Sequence, residues 1–261
     1  MKIEFLTQDD PLYILPFFEE FFANYGSEFK VLRVSSCRVM GKRPRFKLLW
    51  ELAHLYGVLG FPRILSRVVR ARLFGMLPRS RGASRFLTLA QLCRAYNVPF
   101  EQVGSPNAAE FIAEMRQRAP DVLVSVACPY ILKEPLLKLP RFGCINIHHA
   151  PLPHYKGMMP TFWQMYHGEK AVGVTVHYMA PKVDEGAALL QEELEIRDDE
   201  SLDQLIRRAK RHGAHCMAKV LRQVAEGKQR PVSLDNSKGS YFTFPTLDEI
   251  REFHRRGFRV V

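Results

Sequence analysis

Residues 144–149 read CINIHH, and residues 173–178 read GVTVHY. In both segments apolar residues alternate with polar ones, and breaks containing Pro or Gly follow at 150–157 and 181–186. This pattern is typical of a β-strand that delivers polar side chains to an edge of the sheet where ligands bind. The two segments therefore predict neighbouring strands with a site between them.

Outward from these segments, strand-like and helix-like patterns alternate. Strands are predicted at 2–6, 30–35, 99–103, 121–127 and 144–147, with an edge or antiparallel strand at 188–196. Helices are predicted at 11–24, 46–75 (broken around Gly57, Gly60 and Pro62), 87–96, 107–119 with Asn107 as N-cap, 132–139, 199–225 and 246–256. The run DVLVSVA at 121–127 is apolar throughout, as in a strand covered on both faces. Alternation of this kind predicts an α/β fold with a mostly parallel, twisted sheet and helices on both faces.

A chain of 261 residues is long enough for one large domain, or for one domain with a small appendage. We predict a catalytic domain at 1–228 and a short C-terminal extension at 229–261 that packs on it. The first strand is followed by residues 7–11, which contain no glycine. A glycine-rich dinucleotide-binding turn is therefore not expected there.

The composition indicates a globular, cytoplasmic protein. Hydrophobic residues make up 47% of the chain, and the five cysteines form no CxxC pair. Scattered cysteines in apolar runs indicate buried, reduced thiols. The N-terminus turns acidic too early for a secretory signal, and no apolar run is long enough to span a bilayer.

The net charge of +11 is concentrated in residues 41–90, which carry eleven Lys or Arg against one acid, Glu51. A concentration of positive charge favours an anionic partner. The partner could be a phosphorylated molecule, nucleic acid or a membrane surface. Arg63, Arg67 and Arg70 share one face of the predicted helix. This face is either merely solvated or a docking face for phosphate or an anionic membrane.

Asn146, His148 and Asp184 form the candidate catalytic set. Asn146 and His148 are two residues apart on a strand and project from the same face. An amide NH2 and an imidazolium NH aimed at one point form an oxyanion hole. Asp184 lies on the loop after the neighbouring strand, where it can accept a proton or hold His148 charged, directly or through water. No Ser or Cys precedes a base, so direct acyl transfer is expected rather than a covalent acyl-enzyme.

Two alternatives compete with this interpretation. The histidines could bind a metal, but His148 and His149 are adjacent and point to opposite faces of a strand, and no ligand spacing of a known zinc site is present. An isolated Asn-x-His in a strand is also more often structural than functional. The sequence therefore predicts no metal site.

The combined pattern resembles the 10-formyltetrahydrofolate-dependent formyltransferases. This family includes glycinamide ribonucleotide formyltransferase, methionyl-tRNA formyltransferase and the sugar N-formyltransferases. The resemblance rests on NIH at 146–148, LPHYKG at 152–157, GVTVH at 173–177, VDEG at 183–186 and Gln191. It is specific from about residue 121 to residue 191, and elsewhere it concerns mainly the fold pattern.

The resemblance implies a Rossmann-like catalytic domain that uses 10-formyltetrahydrofolate as formyl donor, with Asn146, His148 and Asp184 as its catalytic residues. It further implies a set of residues around the donor and the acceptor. The donor's pterin is expected at Tyr130, Ile131 and Leu132 and at the loop containing Val183; the acceptor is expected near Lys156, Thr175 and His177.

We therefore expect an N-formyltransferase that acts on a primary amine of an anionic small molecule, such as a nucleotide-linked amino sugar. The lack of a glycine-rich phosphate loop argues against purine synthesis. The short segment after the last long helix argues against a tRNA substrate, because methionyl-tRNA formyltransferases carry a further C-terminal domain. An aminoacyl-tRNA enzyme, a formyltetrahydrofolate hydrolase and a non-catalytic binding protein are the alternatives. Peripheral membrane contact through the basic helix is a further expectation.

Overall fold

A computed structural model of the chain describes residues 1–8, 10, 12–38, 45–82 and 86–261, without the side chains of residues 45–48. The strands are β1 (Lys2–Gln8), β2 (Lys30–Cys37), β3 (Phe100–Val103), β4 (Val122–Val126), β5 (Cys144–His148), β6 (Lys156–Gly157), β7 (Ala171–Tyr178), β8 (Ala188–Glu195) and β9 (Tyr241–Phe242). Seven of them form one sheet in the order β3-β2-β1-β4-β5-β7-β8. Strands β1 to β5 are parallel, whereas β7 and β8 are antiparallel.

The helices are α1 (Leu15–Tyr25), α2 (Arg45–Phe74), α3 (Leu89–Ala95), α4 (Ala109–Arg118), α5 (Glu134–Leu137), α6 (Pro160–Tyr166), α7 (Leu202–Ala225) and α8 (Leu247–Arg255). They cover both faces of the sheet. Phe5 of β1 belongs to the core formed with α1, α3 and α7, while the next residue, Leu6, packs with α4 and α5 on the other face. The predicted mostly parallel α/β fold is confirmed.

Helix α1 begins later than predicted. The carboxylate of Asp10 accepts hydrogen bonds from the backbone amides of Leu12 (2.7 Å) and Tyr13 (3.2 Å). A side chain that captures local amides in this way favours a turn over a helix. The helix therefore starts at Leu15, and the predicted first residue, Pro11, lies outside the described residues.

Helix α2 is interrupted within the region predicted around Gly57, Gly60 and Pro62. Gly57, with φ of 65°, departs from helical geometry, whereas Gly60 and Pro62 remain within it. Pro62 follows the break closely, so it removes only one amide hydrogen bond from a newly started helix. Residues 83–85 of the basic segment at 41–90 lie outside the described residues.

The C-terminal extension is built into the structure rather than attached to its surface. Strand β9 pairs with β6, and the amides of Leu202 and Asp203 donate to the carbonyls of Arg259 and Val260 at 2.9 Å. Helix α8 begins close to the predicted start at residue 246, where Thr246 and Glu249 form a capping box. One wall of the candidate site therefore depends on residues after 228.

All five cysteines are free. No helix among the described residues is long and apolar enough to cross a bilayer.

Candidate active site

The candidate site lies over β5 and β7, whose side chains are placed by an antiparallel register. Asn146 is opposite His177, and His148 is opposite Thr175. Because β7 runs antiparallel to β5, the end of β7 lies beside the start of β5. We expected the two strands to deliver their polar side chains to one common edge of the sheet, and they do not. The loop after β7 instead folds back across the face of these strands.

Gly186 makes this return possible. A Cβ atom on Gly186 would lie 1.6 Å from the carbonyl oxygen of Tyr178. Only glycine allows the two backbone segments to approach so closely. The return brings Asp184, which comes just before Gly186, over the β5 side chains.

Asp184 reaches both histidines. Its Oδ2 atom lies 3.6 Å from His148 Nδ1, and its Oδ1 atom lies 3.7 Å from His177 Nε2. The amide of Gly157 donates to Oδ2 at 3.2 Å. Asp184 itself has φ of 53°, a left-handed conformation that Asp and Asn tolerate better than most residues. The three predicted catalytic residues are thus brought together, with His148 and Asp184 slightly beyond hydrogen-bonding distance.

His148 has one ring nitrogen engaged and one directed to the site. Its Nε2 atom donates to the carbonyl of Tyr155 at 2.8 Å, because a carbonyl oxygen can only accept. Nδ1 is therefore the atom that faces Asp184 and is available to a ligand. Tyr155 has φ of 57°, so the loop after β5 adopts a left-handed turn to present this carbonyl.

His177 is neutral and holds Asn146. Its Nδ1 atom donates to the carbonyl of Tyr178 at 2.8 Å, which leaves Nε2 as an acceptor for Asn146 Nδ2 at 3.1 Å. Burial lowers the pKa of His177 to about 4, although Asp184 acts in the opposite direction. This hydrogen bond fixes the orientation of the Asn146 side-chain amide.

We predict that His177 makes the protein sensitive to mild acid. An unfolded histidine titrates near pH 6.5, so between pH 6.5 and 4 the unfolded chain binds a proton that the folded chain does not. The free energy of unfolding should therefore fall as the pH falls through this window, by about 3 kcal/mol from this group alone. Urea unfolding between pH 7 and pH 4 should show a flatter pH dependence for His177→Gln, which keeps an acceptor for Asn146.

The matched control is His154→Gln, because His154 is exposed. It should retain the steep pH dependence of the unmodified protein. Parallel curves for His177→Gln and the unmodified protein would contradict the prediction.

A cavity of about 250 Å³ opens beside these residues. Its polar end is formed by Ser125, Asn146, His177 and Asp184, and its walls are mostly apolar. The other lining residues are Cys128, Pro129, Tyr130, Ile131, Leu132, Gly157, Met158, Met179, Ala180, Lys182, Val183 and Tyr241. The predicted donor-binding residues Tyr130, Ile131, Leu132 and Val183 all line this cavity.

Asn107 holds the loop at 130–132, a role that the sequence did not reveal. It was predicted as the N-cap of α4, but the cap position is Ala108 and has no side-chain bond. Asn107 instead donates from Nδ2 to the carbonyl of Ile131 at 2.9 Å and accepts from the amide of Lys133 at 2.8 Å. Its distant partners, more than twenty residues along the chain, explain why a local pattern misassigned it.

We predict that Asn107→Ala weakens donor binding without slowing the chemical step. Two hydrogen bonds that fix the loop are lost, each worth about 1 kcal/mol, so KM for the donor should rise by about tenfold while kcat stays nearly constant. Steady-state kinetics with varied donor would measure this. A fall in kcat with unchanged KM would contradict a role in loop positioning.

The predicted acceptor residues lie in different environments. Thr175 is fully buried, and its hydroxyl donates to Ala150 O at 2.6 Å and accepts from Gln191 Nε2 at 3.1 Å. It therefore fixes the loop after β5 and does not line the cavity. Lys156 is also largely buried, with Nζ 3.3 Å from Glu185 Oε1. Of these residues, His177 is the one on the cavity wall.

Tyr241 on the cavity wall and Ser240 beside it belong to the C-terminal extension. The Ser240 hydroxyl accepts from the amide of Tyr155 at 2.9 Å, next to the carbonyl that holds His148. Nothing in the irregular sequence at 229–245 signalled this contribution, because it arises from the pairing of β9 with β6.

One group among the described residues has metal-ligating chemistry. Glu192, His212 and Cys216 place their ligand atoms within 4.8 Å of one another on β8 and α7. Lys219 already neutralises this carboxylate, with Nζ 2.9 Å from Glu192 Oε1. The group is separate from the catalytic set, and the expected absence of a metal there stays a prediction.

A second cavity, of about 320 Å³, lies between α1, α2 and α7 and is rich in arginine. Arg67 and Arg207 both pair with Asp203, at 2.8 and 3.1 Å. Arg70 and Arg211 have no carboxylate partner among the described residues, so the cavity has positive charge to offer an anion. Its residues are Leu12, Leu15, Pro16, Glu19, Arg67, Arg70, Phe86, Leu87, Arg207 and Arg211.

Comparison with known proteins agrees with the resemblance seen in the sequence. A family model described as formyl transferase matches residues 82–221. A methionyl-tRNA formyltransferase from Cyanothece sp. (strain PCC 7425) is 37% identical over 148 residues, which make up 56% of this chain and 44% of the relative. The chain spans about half the length of the curated relatives it matches.

Solved structures share the fold at low identity. The glycinamide ribonucleotide transformylase 1 of Symbiobacterium toebii aligns over 90% of this chain and 94% of its own, with a TM-score of 0.59 and 18% identity. A sugar N-formyltransferase from Shewanella sp FDAARGOS_354 aligns over 93% of this chain and 76% of its own, with a TM-score of 0.55 and 18% identity. Since the family model covers more than half of the residues and the fold agrees, the chain belongs to the formyl transferase family.

Proposed function

We propose that this protein transfers a formyl group from 10-formyltetrahydrofolate to a primary amine. The observation that carries the proposal is that Asn146 and Asp184 lie at the polar end of a cavity with apolar walls, with His148 Nδ1 3.6 Å from Asp184 Oδ2. Formyltetrahydrofolate is the donor expected from the family.

The shape and polarity of the cavity suit this donor. A flat heteroaromatic ring fits between the loop at 130–132 and the loop carrying Val183, where apolar side chains such as Ile131 are exposed. Small-molecule sites of this kind combine apolar walls with a few convergent polar groups. The formyl group of a donor held in this way faces Asn146 and Asp184.

The proposed reaction is a direct acyl transfer. The acceptor amine attacks the formyl carbon, and the developing oxyanion receives hydrogen bonds from Asn146 Nδ2 and from protonated His148 Nδ1. The bond from the formyl carbon to the folate nitrogen then breaks. Asp184 takes part in moving the proton that the amine loses to the folate nitrogen. The 3.6 Å between His148 and Asp184 closes in the complex or is bridged by water.

We propose an anionic small molecule, such as a nucleotide-linked amino sugar, as the acceptor. Support comes from the arginine-rich cavity between α1, α2 and α7. Helix α7, which lines this cavity with Arg207 and Arg211, also carries Lys210, whose Nζ lies 3.4 Å from Nδ1 of His149, the residue after His148. Guanidinium groups bind phosphate through paired hydrogen bonds.

An aminoacyl-tRNA acceptor is the second candidate, because similar curated proteins are named methionyl-tRNA formyltransferases. It stays second because the similarity spans about half of those proteins. In either case we propose a cytoplasmic protein, consistent with five free cysteines.

The test is an assay of the purified full chain with 10-formyltetrahydrofolate and a panel of amines. The panel contains nucleotide-linked amino sugars, methionyl-tRNA and a reaction without acceptor, and mass spectrometry identifies the product. Formylation of an amino sugar supports the proposed acceptor. Formylation of methionyl-tRNA would instead identify aminoacyl-tRNA as the acceptor. Formate released without acceptor at the full turnover rate would identify a hydrolase, and no donor consumption under any condition would contradict the proposed reaction.

A further inference from the structure

Helix α2 turns one apolar stripe toward the protein. In its second half, after the break at Gly57, the buried residues are Gly60, Ile64 and Ala71. Their spacing of four and seven residues places them on one side of a helix. This side packs against the rest of the chain, including α8.

A second apolar stripe runs along the opposite side of the same helix. Val58, Leu65, Val69 and Leu73 are separated by seven, four and four residues, and they are 90%, 45%, 44% and 67% exposed. A surface helix ordinarily carries polar residues on the side away from the core. This stripe therefore presents apolar surface to the outside of the described part of the chain.

The exposed apolar surface continues on both sides of this stripe. Most large apolar side chains that the described residues expose lie between positions 49 and 77. They are Leu49, Trp50, Val58, Leu59, Leu65, Val69, Leu73, Phe74, Met76 and Leu77. Such a concentration on α2 and the residues directly after it indicates an interaction surface and not scattered surface residues.

Arginines border the stripe. Arg63 and Arg70 follow one edge and Arg72 the other, and all three are exposed. None of the three pairs with a carboxylate among the described residues. Arg63 and Arg72 line neither of the two cavities described above. An exposed apolar stripe between cations is the arrangement of helices that lie in the interface of an anionic bilayer.

We propose that the outward face of α2 docks the protein onto an anionic lipid membrane. The apolar stripe enters the boundary between headgroups and acyl chains, and the bordering arginines contact lipid phosphates. Nucleic acid would satisfy the arginines but would leave the apolar stripe in water. A second copy of this chain would bring two basic faces together. The membrane satisfies both features, and the inference does not depend on the formyl transfer reaction.

Vesicle binding by the full chain tests the proposal. We expect co-sedimentation with equimolar phosphatidylcholine and phosphatidylglycerol vesicles, and much less with phosphatidylcholine alone. Trp50 provides a local probe because it is 46% exposed, whereas Trp163, the other tryptophan, is 4% exposed. Its emission should shift to the blue when anionic vesicles are added. Leu65→Asp/Val69→Asp and Arg63→Glu/Arg72→Glu should each weaken binding by about tenfold or more.

Val232→Asp is the control, because it places a carboxylate on an exposed apolar side chain outside α2. It should bind vesicles like the unmodified protein, and circular dichroism should show that all variants are folded. Absence of vesicle binding would overturn the proposal. The proposal would also be overturned if the protein bound tRNA instead of vesicles and Leu65→Asp/Val69→Asp left that binding unchanged. A dimer in solution that the same variant dissociates would likewise overturn it.

Discussion

Replacing Asp184 with Asn is expected to slow formyl transfer by about 1000-fold while leaving the protein folded. The carboxylate faces His148 Nδ1 at 3.6 Å and is 10% exposed, so its charge acts on the imidazole with little screening by solvent. A positioned group that moves a proton typically contributes 100- to 10,000-fold, so about 1000-fold is the central expectation. The rate of formylated product formation at saturating donor and acceptor measures the effect.

Asn is the informative substitution at this position. It tolerates the left-handed φ of 53°, and its carbonyl oxygen can still accept from the amide of Gly157. The control is Glu193→Gln, which removes the charge of an exposed side chain on β8. This variant should retain the activity of the unmodified protein. A loss smaller than about tenfold in folded Asp184→Asn would remove the proton-handling role from Asp184.

Replacing Asn146 with Ala is expected to lower kcat by about 100- to 1000-fold, the range found when one oxyanion donor is removed. Affinity for the donor should change little, because the amide acts on the formyl oxygen as charge develops there. The variant also leaves His177 Nε2 without its partner at 3.1 Å. A stability loss of about 1–3 kcal/mol is therefore expected and should be measured by thermal unfolding.

The double variant separates a catalytic role from a binding role. If Asn146 and Asp184 act on one transition state, Asn146→Ala/Asp184→Asn should be little slower than the worse single variant, because such effects are not additive. Donor affinity that falls in parallel with the rate would instead assign Asn146 to binding alone.

Local patterns predicted the elements of this fold well where the pattern and the tertiary environment agree. The apolar run at 121–127 became β4 at the centre of the sheet. The helix predicted at 246–256 is α8, which is capped by Thr246. The predictions failed where a side chain bonds to a distant segment, as for Asn107 and Ile131, or where a carboxylate captures nearby amides, as for Asp10.

The site shows the same division. The sequence singled out Asn146, His148 and Asp184 together, and the structure places them within reach of one another. Thr175 shared their motif, but its hydroxyl is used to fix the loop at Ala150. Tyr241 showed no motif at all, yet it forms part of the cavity wall.

The sequence by itself determined the fold class, the family and the set of catalytic candidates, because these depend on residue type and on periodicity along the chain. Tertiary structure alone decided which atoms of these residues meet. The antiparallel course of β7, the return of its loop at Gly186, and the pairing of β9 with β6 each depend on contacts between segments far apart in the chain. The same holds for α2, which carries two apolar stripes on opposite sides. Only the packing of Ile64 and Ala71 against the protein shows that the stripe of Leu65 and Val69 faces outward.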